Sequence, residues 1–227
     1  MSRSPYHQED HLAGARAAVL AAALPHAPFS GWSAQTLQAA IQEAGVDPGL
    51  ALLAFPDGEM SLLEAFWTHL DAALTREIAA RALDNAPLSQ RITIILKTYI
   101  ALLRPHREAV RRALALQALP LNAPHGLGCL YRTVDTMWRA ACDASNDFNF
   151  YTKRATLAAV TASVVTHWLG GAGDDAGALD SFIDRRIGDI LQFEKFKAGA
   201  GRFLQSLPQP ADVLGRIAGI VSGTLSR

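Results

Sequence analysis

Apolar positions recur at spacings of three and four along nearly the whole chain, the pattern of helices that each bury one face. From Glu59 to about Asp84, Leu62, Leu63, Phe66, Leu70, Leu74 and Ile78 share a face and predict a long helix. Before it, the spacing predicts helices over Asp10–Leu24, from a Ser33 cap to Ala44, and over a short stretch from the Asp47-Pro48 cap to about Phe55. Pro25 and Pro28 end the first of these, and Gly45 closes the second. After Pro87, helices are predicted over Leu88–Leu103, His106–Leu119, Gly126–Ala144, Asn149–Leu169 and Ala178–Leu191. Pro120 and Pro124 are expected to bracket a loop, and GGAGDD at 170–175 another. No strand pattern and no repeat is visible, so the predicted fold class is all-α.

Composition strengthens that reading. The chain has 227 residues, half of them apolar, enough for a sizeable core. Alanine and leucine dominate over strand-favouring residues. Twenty-one basic and 21 acidic side chains balance, which excludes a globally basic nucleic-acid binder. Cys129 and Cys142 fit neither a disulfide framework nor a zinc site. The first residues, MSRSPYHQED, contain no apolar signal core. No run reaches the roughly 18 apolar residues of a membrane span. A cytoplasmic protein, free or peripheral to the inner face of a bacterial membrane, is expected.

Residues 36–67 resemble the helix-turn-helix of TetR-type repressors in the order of their features: a helix, Glu43-Ala44-Gly45-Val46, a short helix, Phe55, then the long helix with Leu62-Leu63. Such a second helix reads bases with polar side chains, yet here it is PGLALLAF. Residues 1–83 hold four arginines against nine carboxylates, a net −5, where phosphate binding needs the opposite sign. A degenerate helix-turn-helix that binds no nucleic acid is expected, packed for stability or used in another contact.

Residues 134–154, VDTMWRAACDASNDFNFYTKR, are more specific. Val134, Asp135, Met137, Trp138, Asp143, Ser145, Asp147, Phe148, Asn149, Tyr151, Thr152 and Arg154 match, in order, the signature of the lipid-binding accessory proteins of ubiquinone (coenzyme Q) biosynthesis, and FIDRRIGDIL at 182–191 resembles a second family segment. The chain departs from the family pattern at Cys142, where glycine is usual, at Phe150, where tryptophan is, and at Pro208 and Pro210, which interrupt the last helix. The resemblance implies a bacterial member, not an enzyme. It implies a homodimer that binds an isoprenoid lipid or quinone intermediate and presents it at the membrane to a di-iron hydroxylase. It implies a TetR-like frame: a degenerate helix-turn-helix region over 1–58, a lipid-binding helical domain over 59–192 and an amphipathic tail over 193–227. A ligand-responsive transcription regulator is the rival reading.

Candidate residues follow. No catalytic set, metal site or cofactor motif appears; the Glu-x-x-His of di-iron bundles is missing. His7 and His11 fit a frayed terminus, and His167 a satisfied histidine at a helix end. Tyr99, Leu130, Val134, Met137, Trp138, Leu157, Val160 and Val164, in an apolar set with Leu96 and Leu103, are candidates for lipid contact, although such stripes also make ordinary core. Phe148, Phe150 and Tyr151 lie at about 0°, 200° and 300° around a helix, so at least one faces outward. Asp147, Asn149, Phe150, Tyr151 and Arg154 form a candidate partner patch, whose alternative is a helix junction with Arg154 paired to Asp147 or Asp143. Reversing the charge at Arg154 is then expected to weaken association and spare the fold. Residues 193–227 carry a net +3; Phe193, Phe196, Lys197, Phe203 and Leu204 suit an anionic membrane surface, or else a packed amphipathic helix.

Overall fold

Each helix starts and stops where local chemistry allows. The computed structural model of the chain describes residues 5–81, 83, 86–141, 150–171, 175 and 177–189. Its helices are α1 (Pro5–Ala23), α2 (Ala27–Ser30), α3 (Ala34–Glu43), α4 (Pro48–Ala54), α5 (Glu59–Ala79), α6 (Leu88–Leu103), α7 (Arg107–Gln117), α8 (Ala123–Ala140) and α9 (Phe150–Leu169), and residues 177–189 are helical too. The described residues contain no strand, and the fold is all-α.

Ser33 caps α3 by accepting from Thr36 N, and Asp47 caps α4 by accepting from Leu50 N at 3.0 Å. Gly45, at φ +62°, closes α3. Its N–H donates to Gln42 O while Val46 N–H donates to Ile41 O, the paired bonds of a glycine-terminated helix. Two expectations need correction. Pro25 and Pro28 do not leave a plain connector, because Pro28 sits in the first turn of the short α2. Pro124 likewise lies in the first turn of α8 and not in a loop, since a first-turn proline forfeits no helical hydrogen bond. The α7–α8 connection is correspondingly tight, with Asn122 Nδ2 donating to Leu116 O at 3.1 Å.

Residues 1–184 form one compact unit and residues 185–227 a second. In the first, α5 is the central strut. It packs on α1 and α3 at one side and on α6 and α8 at the other, and α9 packs on α8. Leu62, Leu63, Phe66, Leu70, Leu74 and Ile78 are all buried, as their spacing predicts. The front helices are bolted to the rest by directional bonds as well. Trp32 Nε1–H donates to Ala109 O at 2.9 Å and Arg112 Nε to Pro28 O at 2.7 Å, while within the front Arg16 Nε ties α1 to α4 by donating to Ala54 O at 3.0 Å. The short α4 exposes Leu52 and Leu53. His167, near the end of α9, stacks on Phe182 with ring centroids 3.9 Å apart. Among the described residues no helix is long and apolar enough to cross a membrane. In the second unit the described residues are 185–189, where Arg186 pairs with Asp189.

Candidate functional site

A cavity of about 360 Å³ lies within the first unit, between α5, α6, α7, α8 and α9. Its apolar wall comes from Leu103, Leu114, Ala118, Ala123, Leu127, Leu130, Ala162 and Val165. Gly126 lets α7 and α8 approach: a Cβ there would lie 2.9 Å from Gln117 Cβ. The rim is marked by Leu127, which lines the cavity yet is 67% exposed.

One end is polar and buried. Trp67, Tyr99, Gln117, Cys129 and Thr133 line it, and Asp71, one helical turn beyond Trp67, lies behind. Thr133 Oγ1–H donates to Asp71 Oδ1 at 2.8 Å. Burial lifts the Asp71 carboxyl from 3.8 to about 6, against the downward pull of the Thr133 bond and the Arg132 guanidinium. Burial, then the nearby Asp71 charge, pushes the Tyr99 phenol well above its ordinary value although Thr133 hydrogen-bonds to it, so it keeps its proton. Burial also raises the Cys129 thiol, a shift that Arg132 opposes. Arg132 itself pairs with Glu64.

A pH effect follows from Asp71. Its folded pKa lies above its unfolded value, so the folded state holds the extra proton between about pH 4 and 6 and loses stability as pH rises through that window. A shift of about two units is worth roughly 3 kcal/mol at most. Asp71→Asn should therefore gain stability relative to the parent at pH 7.5, and the gain should shrink by pH 4.5. Urea midpoints at the two pH values check this; a difference independent of pH would contradict it.

Of the expected lipid contacts, Tyr99 and Leu130 stand in the cavity wall. Val134, Met137, Trp138, Leu157, Val160 and Val164 are buried but absent from it. They hold α8 and α9 together: Thr161 Oγ1–H reaches Met137 Sδ at 3.8 Å, and Lys153 Nζ lies 6.0 Å from the Trp138 ring. The residues missed from the sequence include Trp67, Gln117, Gly126, Cys129 and Thr133, and the apolar Leu114, Leu127 and Val165. The signal was the break in the apolar stripe of α8 at Gly126, Gly128 and Thr133.

In the expected partner patch, Arg154 is only 11% exposed, and its Nη2 lies 2.8 Å from Asp135 Oδ1. Asp135 also pairs with Arg139 at 2.6 Å. Arg154 thus meets an acid on α8; Asp147 and Asp143 lie outside the described residues. Phe150 and Tyr151 belong to α9, but their side chains, with Asp147 and Asn149, lie outside the described residues. So do Phe193, Phe196, Lys197, Phe203 and Leu204.

Residues 123–194 match the COQ9 family model. The match begins at the first residue of α8 and contains the whole 134–154 block. The chain is 28% identical over 213 residues to the human "Ubiquinone biosynthesis protein COQ9, mitochondrial", covering 89% of this chain and 67% of that protein. The rat protein of the same name is also 28% identical, over 89% of this chain and 68% of the relative. The Drosophila melanogaster one is 26% identical over 79% of this chain and 56% of the relative. The chain thus spans about two thirds of the mammalian relatives and less of the fly one. The resemblance read from residues 134–154 and 182–191 is one to the COQ9 family.

Proposed function

We propose that this relative of the COQ9 proteins serves ubiquinone biosynthesis as a non-catalytic accessory protein, binding an isoprenoid quinone precursor in the α5–α9 cavity and presenting it to the pathway's hydroxylase at a membrane surface. The observation that carries the reading is the cavity: apolar walls from four helices, one buried polar end, and an exposed leucine at the rim. Ligand sites take this form, a mostly apolar concavity with a few converging polar groups. At about 360 Å³ it sits at the low end of the usual range of roughly 300–1,000 Å³. It suits a ring and the nearer part of a tail. Each tail methylene left in water costs about 0.8 kcal/mol, so the remainder needs cover from a second copy, the membrane, or the amphipathic segment 193–227.

The segment joining α8 to α9 and the start of α9, with Asp147, Asn149, Phe150, Tyr151 and Arg154, is what we assign to contact with the hydroxylase. The first three to four helices form a TetR-like frame without a DNA-reading role. The rival, a transcription regulator, requires a polar recognition helix, whereas α4 exposes Leu52 and Leu53. Retention of DNA in a gel shift at low salt would favour that rival.

Native mass spectrometry of protein expressed in a quinone-making host tests the proposal, because it reports bound lipid and oligomeric state together. A dimer carrying isoprenoid lipid is expected. Lipid-free protein overturns the reading.

A further inference from the structure

The polar end of the cavity offers more hydrogen-bond donors than the protein uses. Trp67 Nε1 and Gln117 Nε2 are buried with no partner in bonding geometry. Trp67 is 6% exposed and Gln117 7%, and both stand in the cavity wall. Gln117 approaches the Cys129 sulfur, which is only a weak acceptor. The acceptors nearby already take part in other hydrogen bonds. Asp71 Oδ1 takes the Thr133 proton, and the Thr133 hydroxyl faces the Tyr99 phenol. Interiors leave few buried N–H groups unpaired, and two lining one cavity point to an acceptor that arrives with the ligand. The aromatic faces of Trp67 and Tyr99 add a preference for a flat ring.

We propose that this end is a headgroup subsite that selects a ring bearing carbonyl or ether oxygens, which accept hydrogen bonds from Trp67 Nε1–H and Gln117 Nε2–H, with the hydrocarbon tail running past Leu130 toward the exposed Leu127. This rests on the reading of the cavity as a lipid site and adds what it distinguishes. The burial gradient sets the direction. Trp67, Tyr99 and Thr133 are closed off from water, so an oxygen-free ligand would leave the donors unpaired. A tail threaded inward would do the same and would put the oxygens against Leu127.

Calorimetric titration of the delipidated full chain tests it with two probes. One is a dimethoxybenzoquinone carrying a single prenyl group; the other is prenylbenzene, which has the same tail and no oxygen. The parent should prefer the quinone by at least about tenfold, since sites built to hydrogen-bond a ligand discriminate strongly against an analogue that lacks the group. In the double variant Trp67→Phe, Gln117→Met the preference should fall to within about threefold while the hydrocarbon binds no worse, because apolar replacements remove the unpaired donors. If Trp67→Phe does not fold, Gln117→Met alone should still reduce the preference by about threefold or more. A preference that survives in the variants, or a parent that binds both probes equally, overturns the subsite while leaving the lipid cavity standing. A parent that binds neither probe overturns both.

Discussion

Arg154→Glu is expected to destabilise the fold by about 3 kcal/mol, the low end of the cost of breaking a buried ion pair, because the pair is largely shielded but Arg139 still faces Asp135. Arg154 is 11% exposed and Asp135 18%, with Nη2 2.8 Å and Nε 2.9 Å from the same carboxylate oxygen. A glutamate there sets two carboxylates against each other across the α8–α9 contact. Arg139 supplies the control. It also pairs with Asp135, but it is 79% exposed, so Arg139→Glu should cost less than about 1 kcal/mol. Urea denaturation of the two variants decides. Equal losses, or none at Arg154, would refute the buried-pair assignment. The sequence suggested that charge reversal at Arg154 would spare the fold and report on partner binding alone. The geometry makes it a fold variant first, so any association defect must be read beside its stability.

The second large effect concerns the cavity. Val165→Trp should lower co-purifying isoprenoid lipid by at least about tenfold, because an indole would occupy the space that a ligand of this size range needs. Val165 is 7% exposed and stands in the cavity wall, so the added atoms enter existing space and the melting temperature should hold. Val164→Trp is the contrast. Val164 is fully buried and absent from the wall, so the same ring overpacks the core and should cost about 1–3 kcal/mol or more. Lipid extracted per mole of protein, measured beside thermal melts, separates the two. Undiminished lipid in Val165→Trp would place the ligand elsewhere.

The helices were largely legible in the chain because their determinants are local. Ser33, Asp47 and Gly45 terminate α3 and α4 with hydrogen bonds reaching only three to five residues. The face of α5 is a simple periodicity. Pro124 was misread because one residue cannot say on which side of a helix boundary it falls. Proline is as much at home in a first turn as in a loop.

The site was less legible for a physical reason. An apolar stripe announces that a residue is buried, not whether it meets another side chain or a void. Val134, Met137, Trp138 and Val164 carry the same signal as Leu130, yet only Leu130 borders the cavity. The cavity exists where small residues, Gly126, Ala118, Ala123 and Ala162, leave space that facing helices do not fill. Its polar end is assembled from α5, α6, α7 and α8, across separations that no spacing rule spans: Asp71 meets Thr133 62 residues away.

By itself, then, the sequence determined the helical class, the caps, a second helix with no polar side chain to read DNA, and the family likeness concentrated between Val134 and Arg154, because each is written in residue types at short range. Only the tertiary structure decided that Arg154 closes on Asp135, that Tyr99 and Leu130 line the α5–α9 cavity, and that Trp67 and Gln117 bring unpaired donors to its wall. Those outcomes depend on how helices pack and on the space they leave, which is a property of several segments at once.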